Sequence, residues 1–160
     1  MTKTFSSNGI ALLKQLRGFK ARPYKDSAGR IHVGYGHRLI SGDGVAANDI
    51  IEEVQATGLL NKDVEKAASI VNGLVTSNLT QNQFDALVLF VYNAGIHTFQ
   101  NSALLHYVNE EEFSKASSQF LSWCKVHTAQ GAYIELAGLR QLREAEQKLF
   151  NTPDEETVHG

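Results

Sequence analysis

The sequence predicts a mainly α protein with a small β element near its N-terminus, an α+β chain rather than an all-helical one. Three observations carry this. Apolar residues alternate with polar ones at Ile31, Val33 and Tyr35, directly after a turn signal. Helical spacing of apolar residues takes over beyond Gly44. Thr80-Gln81-Asn82-Gln83 is a capping-box pattern at the head of a strongly apolar stretch.

Taken in order, Ser6, Ser7 and Asn8 are good N-cap residues, Ile10, Leu13 and Leu16 recur at helical spacing, and Gly18 stops the run, so a short first helix is expected. Pro23 opposes helix in the next segment. Asp26-Ser27-Ala28-Gly29 is a turn, and residues 20–37 read as a hairpin or three-stranded sheet. A loop follows at Gly42-Asp43-Gly44. Asn48 or Asp49 can cap a helix beginning at Ile50, and a longer helix fits residues 59–75. In the helix opened by Thr80, Phe84, Leu87, Val88 and Val91 form one stripe while Leu89, Phe90 and Tyr92 fill the other side. A helix apolar on both sides belongs at the centre of a lobe. Further helices fit residues 102–108, 111–125 and 139–150. The order implies one domain over residues 1–150: an N-terminal lobe (10–58), a bridging helix (59–76) and a C-terminal helical lobe (79–150). The acidic tail, 151–160, is expected to fray.

A chain of 160 residues with 42% hydrophobic and 20% charged residues can bury roughly 68–70% of its unfolded surface. Fifteen Lys and Arg against 17 Asp and Glu give a net charge of −2, which offers no overall electrostatic case for nucleic acid. Cys124 is the only cysteine, so neither an internal disulfide nor a thiolate metal cluster can form, and no cofactor is implied. His32 and His37, five residues apart across a glycine-rich strand end, point to opposite faces, so no metal site is expected there. The first residues lack an apolar signal-like core, and no apolar run approaches the roughly 20 residues of a membrane span. A monomer is the default.

Arg17-Gly18-Phe19-Lys20, Tyr24-Lys25-Asp26 and the Gly34-Tyr35-Gly36-His37 strand end resemble the N-terminal signature of phage-type lysozymes, the endolysins of glycoside hydrolase family 24 typified by the T-even phage enzyme. Asn61-Lys62-Asp63-Val64 resembles the start of that family's bridging helix. Leu79-Thr80-Gln81-Asn82-Gln83-Phe84-Asp85 with Asn93-Ala94-Gly95 resembles its central helix. Phe120-Leu121-Ser122-Trp123 and the stretch Gly138-Leu139-Arg140 through Arg143-Glu144-Ala145-Glu146 resemble its closing segment. The resemblance runs over residues 7–150 and implies a lysozyme-like two-lobe fold.

It also implies an activity, hydrolysis of the β-1,4 bond between N-acetylmuramic acid and N-acetylglucosamine in bacterial peptidoglycan. The family's site carries a glutamate before the glycine that ends the first helix, an aspartate nine positions later and a threonine six further on. Those places hold Arg17, Asp26 and His32 here. Glycoside cleavage needs a proton for the leaving oxygen, and a guanidinium does not supply one. Loss of general-acid help costs about 10²–10⁴ in rate. A fixed cation about 5 Å from the developing positive charge costs roughly 3 kcal/mol more at an effective dielectric of about 20.

Asp26 is either a water-activating carboxylate or a turn residue bonding its own backbone; His32 is a base, a nucleophile, an imidazolium acid or an exposed strand residue. Glu135, in the segment Gly131–Gly138 that looks longer than its family counterpart, is a candidate replacement acid or a solvated loop residue. The resemblance implies a structural pair of His37 with Asp63, and glycan contacts at Tyr35, Asn93, Gly95 and Arg140, the last expected to face Arg17. Phe120 is a core residue, and Trp123 is core or a sugar platform. Three functions are therefore expected to compete: a peptidoglycan-binding lysozyme relative with catalysis lost or reduced, an active muramidase using His32 or Glu135, and a non-enzymatic interaction module. The family further implies accumulation in the host cytoplasm, and release by a separate membrane-permeabilising protein before the wall is attacked.

Overall fold

A computed structural model of the chain describes residues 2–26, 28–40, 42–127, 133–135 and 137–155. The chain divides into two compact units, one of Ser7–Lys66 and one of Met1–Ser6 with Ala67–Gly160. The expected lobe boundaries, 10–58 and 79–150, thus differ from the contact-defined ones: the first six residues belong to the helical unit.

In the smaller unit, helix α1 spans Ser7–Arg17, and strands β1 (Lys20–Lys25), β2 (Ile31–Gly34) and β3 (His37–Arg38) form an antiparallel sheet in the order β1-β2-β3. Tyr24 pairs with His32, and His32 with Arg38, while Val33 pairs with His37. Directly opposed residues share a face. The sheet therefore buries Val33 and His37 on one side and presents Tyr24, His32 and Arg38 on the other. Helix α2 (Glu53–Leu74) closes this unit with its first turns. A side chain on Gly34 would meet the Ala56 Cβ at 3.0 Å, so the strand lies hard against the helix.

The helix expected from Ile50 and the one expected from residue 59 are a single helix starting at Glu53. The Ile51 N–H is bound to the Ala21 carbonyl (2.9 Å), which ties residue 51 to β1, and the Gln55 side chain turns back to accept from the Glu52 N–H (2.9 Å). Tertiary bonding and a local cap set this start, which periodicity does not register.

In the larger unit, α3 (Gln81–Ala94) is buried along Phe84–Val91 and opens with the Thr80/Gln83 capping box. Helices α4 (Ile96–Gln100), α5 (Ala103–Asn109), α6 (Phe113–Gln119) and α7 (Ala137–Asn151) surround it. The core holds Phe84, Phe90, Phe99, Phe120 and Phe150, with Trp123 half-buried against it. Phe120 stands edge-on to Phe90 with ring centroids 5.8 Å apart.

The helix expected over 111–125 breaks into α6, a 3₁₀ turn at Phe120–Trp123 and strand β4 (Lys125–His127), which pairs with β5 (Tyr133–Glu135). The tighter turn keeps Phe120 in the core as the chain leaves the bundle. The tail is not frayed at its start. The Asp154 carboxylate accepts from the Gln81 and Asn82 N–H groups at the head of α3, both at 2.9 Å. Two orphan donors of a helix N-terminus are satisfied by an anion. Residues 156–160 lie outside the described part.

Candidate functional site

The smaller unit gathers Arg17, Asp26 and His32 around the β2–β3 turn. Asp26 stays in its turn because Oδ1 accepts the Ala28 and Arg30 N–H groups at 2.8 and 2.9 Å. Its other oxygen, Oδ2, lies 2.7 Å from His32 Nε2. The turn reading and the charged-site reading of Asp26 thus coexist in one carboxylate. On the far side of the imidazole, Nδ1 lies 3.0 Å from the Gly36 carbonyl. Both ring nitrogens face oxygen atoms, one on a carboxylate and one on a backbone carbonyl. Tyr24 stacks on the same ring with centroids 5.8 Å apart and planes at 27°. Burial pulls the Asp26 carboxyl upward, but the His32 hydrogen bond, the Arg30 and Ala28 N–H groups and the imidazole charge outweigh it and hold it below the usual carboxylate range.

Arg17 is the last residue of α1, and its guanidinium lies on the backbone of Gly36. A Cβ built on Gly36 would sit 2.3 Å from Arg17 Nη2 and 2.6 Å from Cζ. Gly36, at φ 94°, provides both the left-handed turn and the bare surface that this contact needs.

The opposite side of the sheet is structural. His37 Nδ1 lies 2.6 Å from Asp63 Oδ2, and Nε2 lies 2.9 Å from Asp43 Oδ2. The Asp63 hydrogen bond raises the His37 pKa above its ordinary value, against the pull of burial and with help from Asp43. Asp43 is a partner that sequence reasoning missed. Its signal was the Gly42-Asp43-Gly44 turn six residues after the histidine. Tyr35, expected to touch glycan, is 4% exposed, and its hydroxyl donates to Glu53 Oε1 at 2.7 Å. That bond, then burial and the Glu53 charge, push the phenol up to about 12. Tyr35 is a core residue here: it follows β2 in the turn before β3, and its hydroxyl meets Glu53 at the start of α2.

In the larger unit, Asn93 Nδ2 donates to Glu146 Oε2 at 2.9 Å. Glu146 is held by Arg143, whose Nε lies 2.7 Å from Oε1 and whose Nη2 donates to Oε2 at 3.2 Å. Both charges are fully buried, and Arg143 lies over the Phe90 ring at 4.9 Å. This network was also missed, although Arg143 and Glu146 are one helical turn apart in the sequence. Gly95, at φ 96°, ends α3 by donating to the Val91 carbonyl. Arg140 pairs with Glu144 at 2.9 Å on an exposed stretch of α7. The Glu135 side chain lies outside the described part of the structure; its backbone pairs with Lys125 in the β4–β5 hairpin. Among the described residues, no cluster of three or more His, Cys, Asp or Glu is arranged to hold a metal. No described helix is long and apolar enough to cross a membrane.

A small three-stranded antiparallel sheet in a mainly helical chain matches lysozyme-like muramidase folds. The Phage lysozyme family profile matches residues 14–146, and the chain belongs to that family. An endolysin of Acyrthosiphon pisum secondary endosymbiont phage 1 is 34% identical over 147 residues, covering 92% of this chain and 97% of that protein. An endolysin of Bacillus phage B103 is 37% identical over 155 residues, but this chain spans only 56% of its length. Among solved structures, the muramidase domain of SpmX from Asticaccaulis excentricus superposes with a TM-score of 0.84 at 34% identity, over 96% of this chain and all of that one.

Proposed function

We propose that this protein binds the glycan strands of bacterial peptidoglycan, and that its hydrolysis of the N-acetylmuramic acid–N-acetylglucosamine bond is lost or much reduced because Arg17 stands where the family's proton donor stands. The observation that carries the reading is the seating of the Arg17 guanidinium on the Gly36 backbone, beside the His32–Asp26 pair, rather than out in solvent. A charge fixed there opposes an oxocarbenium-like transition state and offers the leaving oxygen no proton. The two penalties, about 10²–10⁴ from the missing acid and roughly 3 kcal/mol from the cation, act in the same direction. The protein acts as a monomer. Cytoplasmic accumulation, with a separate protein opening the membrane, belongs to the same reading.

The His32–Asp26 contact favours a second reading, an active muramidase with the His32 imidazolium as the acid. Glu135 is the other candidate acid.

The test is clearing of purified peptidoglycan by the natural chain and by Arg17→Glu, with sedimentation of both on the same sacculi. Activity gained by at least 10²-fold in Arg17→Glu, with unchanged binding, is the expected result. Strong activity already present in the natural chain, and lost in His32→Ala or Glu135→Gln, establishes the second reading. Absence of binding by both forms leaves an interaction module on a lysozyme fold and overturns the proposal.

A further inference from the structure

The connection between β3 and α2 is tied to its surroundings in an unusual way. Its two ends are pinned by backbone: the Leu39 N–H donates to the Ile31 carbonyl and the Ile51 N–H to the Ala21 carbonyl, both at 2.9 Å. Between the pins, all described residues except Asp43 and Val45 are exposed, Ile40 and Ile50 included, so apolar burial holds little of the segment. Its bonds are mostly local. The Ile40 N–H donates to Asp43 Oδ2 and the Ala46 N–H to Asp49 Oδ2, each at 2.7 Å, and the Asp49 N–H donates to the Ala46 carbonyl at 3.0 Å. Among the described residues, the one hydrogen bond that leaves the segment between its pins joins Asp43 to His37.

That tether depends on a proton. His37 is buried on β3, with Asp63 of α2 at Nδ1 (2.6 Å) and Asp43 at Nε2 (2.9 Å). A carboxylate only accepts, and an imidazole carries two N–H groups only as the cation. The imidazolium therefore satisfies both partners. The neutral ring has one N–H for two carboxylates, and its bare nitrogen then faces an oxygen. The Asp63 contact is the shorter, and α2 holds that residue in place. Asp43 has no second hold outside its own segment, so its contact is the one that yields. Lys66, one turn beyond Asp63 on α2, is the other charged group that bears on Asp43, through space rather than through a hydrogen bond.

We propose that His37 and Asp43 form a proton-operated latch on the β3–α2 connection: closed while the imidazolium bridges Asp43 and Asp63, and open once the ring releases its Nε2 proton to solvent. Opening frees the segment between Leu39 and Ile51 and leaves the sheet and α2 in place, because the two backbone pins use no titratable side chain. The latch is a local event, distinct from the overall stability of the smaller unit, and it stands independently of the peptidoglycan reading.

The experiment digests the full chain with elastase between pH about 5.5 and 9.5, the range over which a histidine with carboxylate partners titrates. Cleavage within residues 40–50 is divided by that of a free peptide of residues 39–51 at the same pH. When cleavage is slow relative to opening and closing, this ratio reports the open population. The ratio should rise about tenfold or more with pH, with its midpoint where the His37 ring signals themselves titrate by NMR. In Asp43→Ala it should be high at every pH. In Asp43→Asn it should not vary with pH, since an amide can accept from or donate to the ring in either state. Lys66→Gln should keep the rise. Thermal melts verify that the variants are folded. A ratio that does not rise in the natural chain overturns the proposal, and so does a rise that survives in Asp43→Ala. A rise accompanied by loss of helical circular dichroism, or by equal cleavage outside the segment, also overturns it, since the titration then unfolds the unit rather than opening a latch.

Discussion

Arg17 and Gly36 are in direct contact, with the guanidinium of one covering the α-carbon of the other. The contact exists because Gly36 has no side chain and holds a φ of 94°. Gly36→Ala is therefore expected to cost stability twice, about 1–2 kcal/mol for the left-handed backbone and a further amount for displacing the guanidinium. Thermal melts of Gly36→Ala, Arg17→Ala and the double variant separate the two. The double variant should retain the backbone penalty and lose the clash, giving a coupling of the order of 0.5–3 kcal/mol. Additive single effects would mean that the guanidinium does not rest on this glycine in solution.

The clamp of His37 between Asp63 and Asp43 makes the smaller unit's stability depend on pH in a definite direction. Because the native pKa of His37 is raised, its contribution is fully present below about 6.5 and is lost as pH rises through the raised value. Asp43 is held low, by the Ile40 N–H and His37 against the upward pull of burial, so its contribution is present above about 3.8 and is lost as pH falls through its native value. Stability from this cluster is thus greatest between the two. In His37→Ala the decline in melting temperature between pH about 5.5 and 8.5 should shrink. An unchanged decline would assign it to other groups.

Removing the imidazole from Asp26 tests the site electrostatics independently of activity. Burial alone raises the Asp26 carboxyl, and His32 is the largest of the opposing influences. In His32→Ala the carboxyl titration of Asp26, followed by carbon NMR, should move upward, with the turn preserved by the Ala28 and Arg30 N–H bonds. A carboxyl that stays where it was would show that the 2.7 Å contact does not persist in solution.

Breaking the Arg143–Glu146 pair leaves an uncompensated buried charge. Glu146→Ala is expected to cost about 3–5 kcal/mol, on the order of 10 °C in melting temperature for a chain of this size. Replacing both with Met and Leu should be close to neutral, since the desolvation penalty disappears along with the attraction. A mild effect of Glu146→Ala would mean that water reaches the pair.

Much of this architecture was legible from local chemistry. The Asp26 turn, the alternating strand after it and the Thr80/Gln83 cap are each written within a few neighbouring residues, and each formed where its own short-range physics places it. Helix starts and ends were less legible. The N–H of residue 51 is claimed by a carbonyl 30 positions away, and the chain around Phe120 is tightened by a core it reaches only after folding. The site divided in the same manner. Arg17, Asp26 and His32 were singled out through the family resemblance, and nothing in their spacing says that one carboxylate oxygen is spent on the imidazole and the other on the turn.

The sequence by itself determined the secondary structure near its turns and caps and the cation at position 17. Those depend on residue identity and on contacts between near neighbours. Tertiary structure alone decided that Tyr35 is buried on Glu53, that Asp43 completes the His37 clamp, that Glu146 holds Asn93, and that Asp154 returns to cap α3. Each of these joins polar groups with many residues between them. Such groups meet because a polar atom withdrawn from water, or left unpaired at a helix end, needs a partner, and which partner lies within reach is set only once the backbone has closed.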